Sequence, residues 1–236
     1  MRGLINKKKG AAHFEMIISF VFFVGFVLFL FMVLKPQDTS ILSGAVISGL
    51  YDSFEEKVHT NLSNMFLKAN YTGSDCFHVE LPGHVFNYAI VNQGSFVTNI
   101  SGDKVFSDLD GSKLSINKDE IFLKIAISPE FDGDLISCSE TLNDFDLGSI
   151  IERRVISHDA LKKMKSKYSN DYETLRKELG VPPIFDFAIV AENLSINMEP
   201  QFGIPDAVEV MAQDRIAEVL DRDGTVINER FTLKIW

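Results

Sequence analysis

MIISFVFFVGFVLFLFMVL, residues 16 to 34, is a run of 19 residues without a charge. As a helix rising about 1.5 Å per residue it covers on the order of 28 Å, close to the hydrocarbon thickness of a bilayer. The apolar region of a cleaved secretory signal peptide normally spans about 7 to 15 residues and leads into small residues at a cleavage site. This run is longer and ends in Lys35-Pro36. It predicts a transmembrane helix over residues 11–35. Arg2, Lys7, Lys8 and Lys9 stand ahead of it, and cytoplasmic flanks collect such cations. The expected localisation is therefore the cell membrane, single-pass, with a cytoplasmic amino terminus and an extracellular head.

Working outward, the rest of the chain is acidic. Over 236 residues the net charge is -10 and the pI about 5.0, although the leader is basic. An acidic body repels phosphate backbones, and no basic stripe interleaved with aromatics reverses that, so nucleic acid is excluded as a partner. Hydrophobic residues make up 46% and charged residues 24%, which supports a packed core rather than wholesale disorder.

Glu15 stands one position before the apolar run. A carboxylate at membrane depth costs roughly 2.5 to 3.5 kcal/mol unless paired or protonated. Gly10, small and flexible, follows Lys7 to Lys9 directly and would make an accessible scissile residue. Cleavage there would leave an α-amine on Ala11, with an ordinary pKa near 7.7 to 8.0, able to neutralise the Glu15 carboxylate of a staggered neighbour.

Lys-Lys-Lys-Gly-Ala-Ala-His-Phe-Glu followed by an apolar helix resembles the leader of type IV pilin-like proteins, in particular the archaeal class III signal peptides. The resemblance covers about residues 7 to 34. It implies a prepilin peptidase as partner, with Lys8, Lys9, Gly10 and Ala11 as the processing site. It also implies that Glu15 serves subunit assembly and that the helix packs against other pilin subunits. The membrane is the remaining expected partner. A plain signal anchor carrying a non-polymerising extracellular binding protein is the alternative.

Beyond Pro36, which would interrupt the helix, Ile41, Leu42, Ala45, Val46, Leu50, Phe54 and Val58 recur at three- and four-residue spacing. They predict an amphipathic continuation over residues 36–70, with helix to about Leu67. From Cys76 to about Ser128, short runs such as CFHVEL, VFNYAIVN, SFVTNI and EIFLKIAIS are broken by turn dipeptides. Ser157 offers an N-cap for a helix from His158, and a second helix ends before Gly180. Asp221-Arg222-Asp223-Gly224 reads as a hairpin turn between two terminal strands. The expected fold class is α+β: a long N-terminal transmembrane and amphipathic helix, then a mainly antiparallel β head over residues 71–236 with a helical insertion about 157–179.

Chemistry is sparse. Cys76 and Cys138 are expected to form a disulfide, the other readings being two separate buried thiols or a metal pair with His78. Asn61, Asn70, Asn99 and Asn193 begin Asn-X-Ser/Thr sequons and are candidate N-glycosylation sites. The Asp-rich segments read as turns and complete no EF-hand loop. Neither Gly-X-Ser-X-Gly, a phosphate-binding glycine loop nor His-Glu-X-X-His occurs, and contiguous Ser157-His158-Asp159 reads as a helix cap. No catalytic residue, cofactor or metal is expected. The predicted role is a pilin-like subunit, minor or adhesin-type, of an archaeal type IV pilus-like surface filament.

Overall fold

The computed structural model describes residues 6–33, 39–70, 76–83, 94–117 and 121–236. The expected break at Pro36 and the expected strand VFNYAIVN lie outside the described residues. The chain divides into two units, residues 1–45 and 46–236.

The first unit holds α1 (Asn6–Val33) and the start of α2 (Thr39–Val58). Its described side chains, residues 14–30, are apolar apart from Glu15 and Ser19. Among the described residues no helix is long and apolar enough to cross a membrane. This corrects the transmembrane helix expected over residues 11–35, and with it the single-pass localisation at the cell membrane.

The second unit is mostly β, which corrects the expected α+β class. Along the chain follow β1 (His59–Ala69), β2 (Cys76–Glu80), β3 (Gly94–Asn99), β4 (Lys104–Val105), β5 (Ser107–Asp110), β6 (Lys113–Asn117) and β7 (Phe122–Ser128). Then come β8 (Phe145–Leu147), β9 (Ile151–Ser157), α3 (His158–Asn170), α4 (Tyr172–Glu178), β10 (Phe187–Ala191), β11 (Ile196–Met198), β12 (Met211–Leu220) and β13 (Val226–Ile235). Among the described residues, ten strands form one curled sheet in the order β11-β10-β13-β12-β9-β1-β7-β3-β4, with β8 also on β1. A smaller sheet runs β2-β6-β5. Among the described residues, pairing between these strands is antiparallel except at β9 and β12, which join in parallel through Ile156 with Val219 and Ser157 with Leu220.

The helix predicted to about Leu67 stops at Val58, and His59–Ala69 is a strand. β1 lies between β9 on one side and β7 on the other, so both of its backbone edges are hydrogen-bonded within the sheet. Thr60 and Leu62 are buried at even positions, then Met65, Leu67 and Ala69 at odd ones. Successive side chains of a strand point to opposite faces, so β1 changes its buried face midway. Leu62 joins a core with Phe131, Val155 and Leu220, whereas Met65 and Leu67 join a core with Phe77, Leu114 and Ile125.

A third core lies under the helices. Ile47, Leu50, Phe54 and Val58 form one face of α2 and are buried with Leu161 and Met164 of α3 and with Phe187, Phe231 and Leu233 of the sheet. α3 begins where the sequence places its cap: the Ser157 hydroxyl accepts from the Ala160 N–H at 2.9 Å. The β12–β13 hairpin turns at Gly224, with φ +78, a conformation that glycine adopts without a Cβ penalty.

Candidate functional site

The feature with most to explain is the surface of α1. Phe14, Met16, Ile17, Phe20, Val21, Phe22, Phe23, Phe26, Leu28 and Phe29 are each more than half exposed, Phe22 by 75%. They occur at nearly every position, so they occupy all sides of the helix rather than one stripe. Branched and aromatic side chains form helix less readily than Ala or Leu, yet the run contains no proline, and its one glycine, Gly25, leaves the helix unbroken. A helix that is apolar all round is normally a covered one. Contiguous exposed apolar patches beyond a few hundred Å² mark interaction surfaces.

Glu15 sits on this helix with its side chain exposed, flanked by Phe14 and Met16. Lys8, Lys9, Gly10 and Ala11 fall on the first turns of α1 by backbone, and their side chains lie outside the described residues.

The remaining sequence-predicted residues lie in the β unit. Cys76 at the start of β2 and Cys138 in the loop before β8 are joined in a disulfide, with Cα atoms 5.5 Å apart. His78, only 6% exposed, packs beside that bond. Its Nδ1 donates to the Cys138 carbonyl at 3.0 Å and its Nε2 meets the Thr141 hydroxyl at 2.8 Å. Because a carbonyl can only accept, Nδ1 carries a proton. Both cysteines being bonded to each other, no thiolate is left to share a metal with His78. Among the described residues no group of three or more His, Cys, Asp or Glu is placed to hold a metal ion.

The sequons differ in access. Asn61 lies within β1, half-buried. Asn70 is exposed at the end of that strand, its amide 3.3 Å from Asp144 Oδ1. Asn99 is buried, and its carbonyl accepts from the Asp103 N–H at 2.9 Å. Asn193 donates its side-chain amide to Glu229 Oε2 at 2.9 Å.

Ser157, His158 and Asp159 do not converge. The Ser157 hydroxyl caps α3, His158 Nδ1 lies 3.0 Å from Asp221 Oδ2, and Asp159 holds the Arg222 guanidinium. Although burial opposes it, the Asp221 carboxyl is held below its ordinary range by the Arg222 backbone N–H and by His158.

Sequence reasoning missed a cavity of about 670 Å³ at the foot of α3 and α4, bordered by Tyr168, Tyr172, Asp186, Glu199 and Trp236. Burial pushes the Tyr168 and Tyr172 phenols up, well above their ordinary value, so both keep their protons. Its residues are scattered over some seventy positions of the chain; the one sequence signal was the local density of Tyr, Phe and Pro from Tyr168 to Pro205.

No family model, no curated protein and no solved structure matches this chain.

Proposed function

We propose that the chain is a pilin-like subunit, of minor or adhesin type, of an archaeal type IV pilus-like filament, cut after Gly10 by a prepilin peptidase and assembled through α1. The observation that carries the reading is the exposure of α1 on all sides. Identical helices laid alongside one another cover that surface, since each supplies the apolar partner that the other lacks and dispersion contacts accumulate along the full length. The basic residues that precede the apolar run and the single carboxylate of Glu15 one position before it support the same reading. A free amine on Ala11 next to a neighbour's Glu15 would set the stagger between subunits, because an ion pair within an apolar bundle is favourable only when both charges are matched.

The test is the amino-terminal mass of the full chain produced beside a prepilin peptidase, followed by measurement of incorporation into filaments. A mature start at Ala11 is expected, with Glu15→Gln processed normally but poorly incorporated. A start at Met1, or unchanged incorporation of Glu15→Gln, overturns the processing or the pairing respectively. A chain that keeps Met1 and stays monomeric would instead be a non-polymerising binding protein.

A further inference from the structure

The cavity at the foot of α3 and α4 has a composition that selects its ligand. Tyr168 and Tyr172 form its floor, their rings edge to face at 5.1 Å, and Tyr172 stacks on the buried Phe187 with the planes 16° apart. Trp236 is held in place by a reciprocal backbone pair with Asp186, at 2.9 and 3.2 Å. Phe202, 96% exposed, stands at the rim with no packing to account for it. The volume falls within the range of small-molecule sites, roughly 300 to 1,000 Å³.

The polar groups decide the chemistry. Asp186 Oδ1 accepts from the Tyr172 hydroxyl at 2.8 Å and faces Arg176 at 3.7 Å. Glu199 Oε1 takes Lys234 Nζ at 2.6 Å. Glu199 is thus balanced by a cation through one oxygen, whereas Asp186 shares Arg176 with Glu173, which holds that guanidinium at 2.6 Å; among the described residues no hydrogen bond reaches the other oxygen of either carboxylate. A cationic ligand would have to compete with Lys234 at Glu199 and with Arg176 at Asp186, and an anionic one meets two negative groups at the wall. A wholly apolar ligand would strip water from the two free oxygens and give nothing back. A neutral ligand with hydroxyl donors on its edge and C–H groups on its faces satisfies every wall at once.

We propose that this cavity binds a neutral saccharide, one pyranose lying against the Tyr172, Phe202 and Trp236 rings with hydroxyls donating to Asp186 and Glu199. The pocket belongs to the β unit and does not depend on the assembly reading of α1.

Trp236 is the chain's single tryptophan, so its emission reports on this site alone. The full chain, kept dispersed in a detergent without a sugar headgroup, is titrated with methyl glycosides of glucose, galactose, mannose and N-acetylglucosamine, and with tetramethylammonium. The expected result is a saturable change in emission with at least one glycoside below about 50 mM, an affinity typical of a single weak site. In Glu199→Gln and in Phe202→Ala its dissociation constant should rise more than about tenfold. Phe202→Ala alters an exposed side chain, so its loss of binding cannot be laid to misfolding. No change with any glycoside, a response to tetramethylammonium alone, or glycoside binding indifferent to both substitutions would overturn the proposal.

Discussion

Asn193 serves both oxygens of Glu229, its backbone N–H reaching Oε1 at 3.1 Å and its side-chain amide Oε2 at 2.9 Å, and Glu229 has no exposed surface. A buried carboxylate that, among the described residues, is held by these two N–H donors alone is sensitive to the loss of one of them. Asn193→Ala should destabilise the β unit by about 1–3 kcal/mol, the cost of leaving a buried acceptor unmet. Denaturant unfolding would read it, and an unchanged midpoint would show that water replaces the amide.

Phe54 on α2 and Phe231 on β13 lie with ring centroids 5.4 Å apart and are both fully buried. Phe54→Ala should cost about 3–5 kcal/mol. Phe202→Ala, at an exposed position, should stay within about 0.5 kcal/mol of the parent. Equal midpoints for the two variants would contradict the packing of α2 against the sheet.

The Cys76–Cys138 bond closes a sequence separation of 62. Replacing both cysteines by Ser should lower stability by about 2–4 kcal/mol through the larger unfolded ensemble. It should also loosen His78, whose Nδ1 partner is the Cys138 carbonyl. Denaturation with and without reductant is the check; coincident curves would mean that the loop is held without the bond.

Asp221 and Glu178 are the carboxyls held below their ordinary range, and Asp221 is the one with buried surface. Its folded pKa is depressed, so its contribution is fully present above the unfolded value near 3.9 and is lost as the pH falls through the lowered folded value. Asp221→Asn should therefore flatten the acid limb of the stability curve below about pH 4. Superimposable acid limbs would assign that dependence to other carboxylates.

Asn99 makes a further test of the turn that follows β3. Its amide and carbonyl are both turned to Asp103, at 3.4 and 2.9 Å. Produced in a glycosylating host, the chain should carry no glycan on Asn99, whatever the state of exposed Asn70. Peptide mass mapping decides it, and full occupancy at Asn99 would contradict this geometry.

The contrast between α3 and β1 shows where sequence reading holds. Leu161, Met164 and Tyr168 repeat at three- and four-residue spacing and are buried, with Ser157 capping the helix they define. Every signal there is local. In β1, Leu62, Met65 and Ala69 also fall at helical spacing and are buried, yet the segment is a strand. The spacing arises because β1 serves one core and then the opposite one, a choice made by β7 and β9 across the chain. The apolar surface of α1 was legible from its residues alone. The aromatic cavity was not, since Tyr168, Glu199 and Trp236 become neighbours only when helix, loop and strand end meet.

The parallel join of β9 and β12 has a mechanical meaning. Only two residue pairs bridge it, against ten along β12 and β13. Buried Ile156 and Val219 on one face, Val155 and Leu220 on the other, and the Arg153–Glu218 pair at 2.8 Å reinforce it from the side chains. Pulled from its ends, the sheet should part along this seam while the terminal hairpin stays intact. A first rupture within β12 and β13 in single-molecule extension would place the weak line elsewhere. A sheet joined this way should yield under tension and close again without losing either half of its fold.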